Sequence, residues 1–318
     1  MTKTATFFQN RIKNGAILAP MAGFTDAPFR KICREFGSSY AVTEMVSAKM
    51  LVSGQQSGIK VGAPYPGEPD LVIQIFAADP QLAAEAARIL AKKYNPVAFD
   101  LNMGCPVKKI VNKGCGSALM RDLGLASSIV RALVNSVDIP VSAKMRLGFD
   151  AVNVIEAAKA VVDAGVSAIA VHGRTATQKY YGEANWDEIA KVAEAVNVPV
   201  IGSGDINSPA SFKEQRKKGL GVMIARGSLG RPWIFGEVQG DAAPSLGEVV
   251  RLAYRHIRLN ADWYGEQRGV KMLRGQLGRY FSSFREGPSL KPHLVRVSSI
   301  NDFVNLMKSQ FSTNLLSD

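Results

Sequence analysis

The chain has 318 residues, of which 47% are apolar, and its 39 lysines and arginines against 27 acidic residues give a net charge of +12. This composition is typical of a globular protein with room for one large and one small domain, and the longest apolar runs are too short to span a membrane. The positive charge favours polyanionic partners, nucleic acid first and an anionic membrane surface second, although a basic soluble enzyme would show the same balance.

Short apolar runs alternate with helical segments along the first 225 residues. Eight of these runs are candidate strands: Ala16–Ala22, Tyr40–Met45, Leu71–Ala77, Ala98–Asn102, Val141–Leu147, Ala168–His172, Val198–Gly202 and Gly221–Ala225. Because each run is nearly continuously apolar, it is typical of a parallel sheet that is buried on both faces. Helices are predicted between the strands, among them Pro80–Tyr94, Val152–Ala164, Trp186–Val196 and Pro209–Lys218.

Eight strand–helix units predict an α/β fold, a (β/α)8 TIM barrel over residues 1–240. A doubly wound sheet would alternate in the same way, but no strand is followed by a Gly-x-Gly-x-x-Gly fingerprint at the start of a helix. A stretch rich in glycine, proline and glutamine at residues 54–69 is interpreted as an ordered loop inserted before the third strand.

From residue 241 to residue 318 the strand pattern stops, and a small all-helical C-terminal domain is predicted. Its helices are expected at Gly247–Trp263, Val270–Phe284 and Val297–Gln310. Two Xaa-Pro pairs, at residues 287–288 and 291–292, are expected to separate the last two helices.

The amino-terminal twenty residues contain no apolar segment of signal-peptide length, so a cytoplasmic protein is expected. The three cysteines, Cys33, Cys105 and Cys115, form no Cys-x-x-Cys pair and have no histidine cluster beside them. Such a set argues against a disulfide framework and against a zinc site, and we expect no metal.

Polar residues recur at the carboxyl ends of the predicted strands, which in a TIM barrel meet at the rim that carries the active site. Taken singly, each has a structural explanation; a lone cysteine is usually a small buried hydrophobic residue, and we expect this for Cys33 and Cys115. Their common placement instead predicts a functional site that contains Gln74, Asn102, Cys105, Lys144, Arg146, His172 and Arg174.

Glycines and an arginine after the seventh and eighth strands predict an anion site. Gly204 and Gly227 lack a Cβ atom, so backbone N–H groups can approach a phosphate closely. Arg226 adds a positive charge. Many TIM barrels bind a phosphate at this place, after the seventh and eighth strands. The residues assigned to this site are Ser203, Gly204, Asp205, Ala225 and Arg226.

If that phosphate belongs to FMN, the other rim residues acquire roles. Gln74 can pair with the pyrimidine edge of the flavin, and Lys144, assisted by His172, can stabilise negative charge on the reduced ring. No second phosphate site or adenine-binding fold is recognisable, which favours FMN over FAD. A flat, weakly polar floor for the ring system is offered by Pro20, Met21 and Ala22.

The segments LAPMAGFTD, DLNMGCP, KKIVNKGCGSALM, AKMRLG, HGRT and ARGSLGRPWIF resemble those of bacterial tRNA-dihydrouridine synthases, most closely the B-type subfamily. The resemblance covers the barrel and extends more loosely into the helical tail. One departure is Ser203 before Gly204 and Asp205, where the family commonly has asparagine. A serine can still donate a hydrogen bond to a phosphate.

The resemblance implies FMN-dependent reduction of the C5–C6 bond of tRNA uridines, with NADPH as the electron donor. C6 of uracil would accept hydride from N5 of the reduced flavin, and C5 would then need a proton. Cys105 is the implied proton donor, because a thiol with a pKa near ~8.5 is mostly protonated in the cytoplasm. The uridine would be flipped out of the RNA, and the residues expected to bind it are Asn102, Arg146 and Arg174.

The tail is expected to hold the tRNA partner. Arg268, Lys271 and Arg274 recur every three residues, which places them along one side of a helix, although a merely solvated basic face is the alternative. A monomer is expected.

Two other functions stay open. One is a small-molecule FMN dehydrogenase of the dihydroorotate type, which the basic tail disfavours. The other is an RNA-binding scaffold without catalysis, which the intact set of Cys105, Lys144 and His172 disfavours.

Overall fold

The computed structural model describes residues 6–311, which form a (β/α)8 barrel followed by a helical region. All eight strands are parallel, in the order β1-β8-β7-β6-β5-β4-β3-β2. Their bounds are β1 Ile17–Leu18, β2 Val46–Ser47, β3 Val72–Phe76, β4 Ala98–Met103, β5 Val141–Arg146, β6 Ala168–His172, β7 Val200–Ser203 and β8 Gly221–Ile224. The predicted barrel is therefore confirmed, and burial on both faces explains the continuously apolar strand sequences.

The barrel closes through the segment before β2. Parallel bridges at Ala41 and Val42 join this segment to β1 and to β3. The strand predicted at Tyr40–Met45 is wrong in its bounds, since only these isolated bridges form there. The physical reason lies at Thr43, whose hydroxyl takes the place of a backbone carbonyl and accepts the N–H of Gln74 at 3.1 Å.

Eleven helices of the described chain surround the barrel wall or lie at its ends: α1 Thr6–Lys13, α2 Ala27–Glu35, α3 Ala48–Val52, α4 Gln56–Val61, α5 Pro80–Tyr94, α6 Lys108–Val111, α7 Leu123–Val134, α8 Val154–Asp163, α9 Trp186–Ala195, α10 Pro209–Arg216 and α11 Ile234–Glu237. The stretch interpreted as a loop at residues 54–69 is ordered, but it contains the short helix α4. Glu68 at its end forms a buried bidentate ion pair with Arg30 of α2 at 2.7 Å, which attaches the insertion to the barrel.

The chain from residue 246 onward is helical, with α12 Leu246–Tyr264, α13 Glu266–Tyr280, α14 Gly287–Leu294 and α15 Ile300–Gln310. Helix α14 is absent from the prediction, which expects Pro288 and Pro292 to interrupt the chain. Pro288 stands in the first turn of α14, where its missing N–H has no helical partner to lose. Within the described residues, no helix is both long enough and apolar enough to cross a membrane.

A second hydrophobic core holds the tail helices together and joins them to the barrel. Its buried residues come mostly from α12 to α15, and Ile32 and Trp233 contribute to it from the barrel side. Phe29 of α2 stacks on His256 of α12, with ring centroids 5.6 Å apart. These contacts fix the helical region beside β1, while the division into domains at residue 240 stays a prediction.

Candidate active site at the carboxyl end of the barrel

A cavity of about 720 Å³ opens at the carboxyl ends of the strands. Its volume lies in the range of cofactor and small-molecule sites. Most of the predicted site residues line it, because the ends of parallel strands meet at one rim. These are Pro20, Met21, Ala22, Gln74, Asn102, Cys105, Lys144, Arg146, His172, Ser203, Gly204, Asp205, Ala225 and Arg226.

A chain of buried hydrogen bonds runs from β5 to the loop after β4. Ser142 Oγ donates to Asp100 Oδ1 at 2.6 Å, and Gln74 Nε2 donates to Asp100 Oδ2 at 2.7 Å. Asn102 Nδ2 donates to Gln74 Oε1 at 2.8 Å, and Asn102 Oδ1 accepts the N–H of Cys105 at 3.0 Å. Since a carboxylate only accepts, Asp100 determines which way both amide groups point and so holds the Cys105 loop. Asp100 was not predicted as a site residue, although an acid inside an apolar strand is visible in DLNMGCP.

Cys105 lies on the loop after β4 and is partly exposed to the cavity. Burial raises the pKa of its thiol, against the opposing effects of the Val107 N–H and the Arg146 charge. The thiol is therefore protonated at neutral pH, and the same N–H and charge stabilise the thiolate once a proton has left. Cys33 and Cys115 are buried, as expected.

Lys144 and His172 place one cation and one neutral ring at the cavity. Burial and the charge of Arg146 lower the pKa of Lys144 to about 8, and Asp100 opposes this shift. The pKa of His172 lies far below its usual range, because burial and four nearby positive charges disfavour the imidazolium. Arg174 Nη1 lies 3.2 Å from His172 Nε2; a guanidinium only donates, so Nε2 accepts and the ring proton is on Nδ1.

Arg146, at the end of β5, has part of its guanidinium committed to the protein. Its Nε donates to the carbonyl of Gly104 at 2.8 Å. Its Nη1 donates to the carbonyls of Thr175 and Lys179 at 2.9 and 2.8 Å. The Nη2 group donates to no atom of residues 6–311, so it is available to a ligand in the cavity.

Arg174 does not line the cavity and is 2% exposed. Its Nε and Nη2 donate to the carbonyls of Tyr181 and Gly182 at 3.1 and 2.5 Å, and Nη2 also pairs with Asp205 Oδ2 at 2.6 Å. Arg174 therefore holds the loop after β6 in place, and its predicted contact with substrate stays a prediction.

The loop after β6 supplies a cavity residue that sequence analysis missed. Tyr180 lines the cavity, with its ring centroid 4.7 Å from the Arg226 guanidinium and 5.7 Å from that of Arg146. The only sequence signal was an aromatic pair, Tyr180-Tyr181, inside a polar loop.

The segments after β7 and β8 have the geometry of an anion site. Gly204 has a φ of +130°, and a Cβ there would lie 2.5 Å from the Ala184 Cβ, so only glycine fits. In the described part of the chain, the N–H groups of Gly204 and Arg226 donate to no backbone carbonyl. Asp205 is paired with Arg174 and lies 3.4 Å from Arg226, so it positions this arginine while its own charge is neutralised.

Helix α13 also reaches the cavity through Arg279, a lining residue that was not predicted from the sequence. Arg268 and Lys271 are exposed on this helix, whereas Arg274 is half-buried and its Nε donates at 2.6 Å to a carbonyl between α14 and α15. A helix has 3.6 residues per turn, so a spacing of three rotates Arg274 away from the exposed side. Arg274 thus stabilises the tail itself, and its predicted contact with tRNA stays a prediction.

These features define the class of protein. A TIM barrel with an anion site after β7 and β8, a protonated thiol and a buried ammonium in one cavity is an enzyme suited to a phosphate-bearing cofactor. Among the described residues, no group of three or more His, Cys, Asp or Glu side chains is placed to hold a metal ion.

The chain matches the dihydrouridine synthase (Dus) family over residues 17–316, and it belongs to this family. It is 40% identical over 287 residues to tRNA-dihydrouridine synthase B of Pseudomonas syringae pv. tomato, covering 86% of this chain and 84% of that protein. It is 42% identical over 276 residues to tRNA-dihydrouridine synthase B of Xanthomonas campestris pv. campestris, covering 83% and 82%. A structure of 2,3-dimethylmalate lyase is 14% identical with a TM-score of 0.45, covering 71% of this chain and 81% of that chain.

Family membership confirms the resemblance drawn from the sequence motifs, and with it the predicted class of activity, dihydrouridine synthesis by a flavin-dependent oxidoreductase. The alternative of a dihydroorotate-type dehydrogenase is set aside.

Proposed function

We propose that the cavity binds FMN, that NADPH reduces this FMN, and that the enzyme reduces the C5–C6 bond of uridine in tRNA with Cys105 as the proton donor to C5. The observation that carries the proposal is the presence, in one cavity, of a protonated thiol and an anion site at Gly204 and Arg226.

The cavity residues fit FMN. Pro20 and Met21 give an apolar surface, and Gln74 keeps one amide N–H beyond its bond to Asp100. Lys144 supplies a positive charge for a reduced flavin ring. On the phosphate side, the cavity is lined by Ser203, Gly204, Ala225 and Arg226, with the carboxylate of Asp205 paired to arginine.

The chemistry divides between the cofactor and the protein. When bound, reduced FMN supplies the hydride that C6 of the uracil accepts. At C5 a C–H bond forms as the S–H bond of Cys105 breaks, and the thiolate then recovers a proton from water. The N–H of Val107 and the charge of Arg146 stabilise this thiolate. Negative charge that develops on O4 meets Arg146 Nη2 and the second amide N–H of Asn102.

Binding of tRNA requires that the uridine leave its stack, which costs roughly a few kcal/mol. The exposed side of α13, with Arg268 and Lys271, ends at Arg279 on the cavity. We assign phosphate contacts to this side of the helix, because lysine and arginine that are not committed to the protein are free to bind phosphates.

The proposal is tested by the cofactor and by Cys105→Ala. Purified protein should release FMN on denaturation. In Cys105→Ala, flavin reduction by NADPH should proceed near the parental rate, because it needs no proton at C5. Dihydrouridine formation in tRNA should drop by about 10²-fold or more, the usual effect of losing a positioned general acid. Cys115→Ala, beyond helix α6 and buried, is the matched control and should keep both steps.

Recovery of FAD in place of FMN would refute the cofactor assignment. Equal losses of flavin reduction and of dihydrouridine formation in Cys105→Ala would make Cys105 a structural residue.

A further inference from the structure

The loop that carries Cys105 continues into lysines that the proposed chemistry does not use. Lys108, Lys109 and Lys113 follow it on α6 and the turn after α6, and all three side chains are exposed. Within the described chain, none of them forms an ion pair. A group of neighbouring, uncompensated positive charges favours an anion as its partner.

This lysine loop, residues 107–113, is held at the mouth of the cavity. Val107 lines the cavity and is 55% exposed, so the loop lies between the site and solvent. Ile110 is buried, and the turn is closed by backbone hydrogen bonds from the N–H groups of Asn112 and Lys113 at 2.8 and 3.1 Å. The backbone that carries the lysines is therefore a compact turn beside the thiol.

The lysine loop and helix α13 stand on opposite sides of the cavity. The loop follows β4, whereas Arg279 packs against Gly230 in the loop after β8, where an added Cβ would lie 2.3 Å from the Arg279 Cβ. In the order of the sheet, β4 and β8 are four strands apart in both directions around the barrel. They consequently face each other across the barrel axis.

An RNA strand that delivers one base into a cavity approaches from one side of the mouth and leaves on the other. The phosphates of the flipped nucleotide and its neighbours then pass close to the residues around the mouth. Lysine is a flexible point charge that binds phosphate without reading a base, which suits contacts that must serve several sequences.

We propose that Lys108, Lys109 and Lys113 form a second RNA-phosphate contact surface, opposite the one on α13, so that the strand is held on both sides of the flipped uridine. This inference rests on the proposed tRNA activity.

The test compares two full-length, flavin-loaded double variants that lose the same charge. Lys108→Ala with Lys109→Ala removes two lysines of the loop. Lys92→Ala with Lys93→Ala removes two exposed lysines from the last turn of α5, at the amino end of the barrel. The probe is tRNA purified from cells that lack the enzyme, and its affinity is measured from low to high salt. NADPH-driven flavin reduction without RNA should be unchanged in both.

The loop variant should flatten the plot of log K against log salt by about 0.7–0.9 for each lost phosphate contact, and the α5 variant should keep the parental slope. Equal slopes for the two variants would overturn the inference, provided that the parental enzyme converts uridine in this tRNA. A parental enzyme that forms no dihydrouridine would instead refute the proposed function. Lys113→Ala is a second, independent variant and should flatten the slope by one contact.

Discussion

Asp100 gives the sharpest test of how the cavity holds Cys105. Its carboxylate is 3% exposed and accepts from Gln74 and Ser142 at 2.7 and 2.6 Å. Asp100→Leu keeps a side chain of similar size but removes the acceptor. Asp100→Asn keeps an oxygen for Gln74 and turns its NH2 toward Ser142, whose hydroxyl can accept as well as donate.

The magnitudes follow from the hydrogen bonds. In Asp100→Leu the buried Gln74 amide loses its acceptor, which costs about 1–3 kcal/mol. Ser142 keeps a weaker partner, the Phe99 carbonyl at 3.4 Å, so it adds little. With about 2.1 cal/mol/K of unfolding entropy per residue, a chain of 318 residues shifts by about 1.5 °C per kcal/mol, so the melting temperature should fall by about 1.5–4.5 °C. Freed from Asp100, the amide of Gln74 no longer orients Asn102, and a displacement of about 1 Å at the reacting centre costs about 10²-fold in rate.

The assay is single-turnover dihydrouridine formation by the pre-reduced enzyme, with thermal melting in parallel. Asp100→Leu should lose about 10²-fold in rate, and Asp100→Asn should stay close to the parental rate. Both variants remove the negative charge that raises the pKa of Lys144, so in both the pKa of Lys144 should move further below about 8. Equal rate losses in the two variants would refute the role of the hydrogen-bond chain, because only Asp100→Leu breaks it.

The other predictions concern the anion site, the tail and pH. Gly204→Ala should abolish most FMN retention. Gly219→Ala is the control and should keep FMN, because Gly219 also has a positive φ but an added Cβ there would meet no atom within 4 Å. Equal FMN content in the two variants would refute the anion site. Arg274→Ala should lower the melting temperature by several degrees, because a hydrogen bond from a charged group contributes about 1.5–3 kcal/mol to stability. Lys271→Ala should leave the melting temperature unchanged. Equal melting curves for the two variants would contradict the stabilising role of Arg274. Flavin affinity should decrease as pH rises through about 8, where Lys144 loses its charge, and a profile of the same shape in Lys144→Met would show that another group titrates.

The central strands of the barrel agree closely with their predicted bounds, as β4 and β6 illustrate. Strands buried on both faces must be continuously apolar, and this pattern is visible in a single sequence. The segment at residues 40–47 could not be assigned in the same way, because a side-chain hydroxyl there replaces one backbone partner. Helix α14 could not be predicted because it contains two prolines. From the sequence alone, a proline in the first turn of a helix cannot be distinguished from a proline that ends a helix.

The sequence by itself determined the barrel, the rim at which chemistry occurs and the set of groups that includes Cys105, Lys144 and His172. It could do so because the apolar run that marks a strand, and the position of a residue at the end of that run, are local properties of the sequence. Asp100 and Tyr180 needed the tertiary structure, since their importance comes from partners on other strands and loops.

The arginines show the same division most clearly. Five of them were assigned to ligands from their positions in the sequence. Among these, Arg146 divides its guanidinium between backbone and cavity, and Arg226 is half exposed beside the anion site. Arg174 and Arg274 instead donate to carbonyl groups of the protein, and Arg174 donates also to the Asp205 carboxylate. A guanidinium can bind a ligand only with the N–H groups that the fold leaves unpaired, and that number is decided by tertiary packing alone.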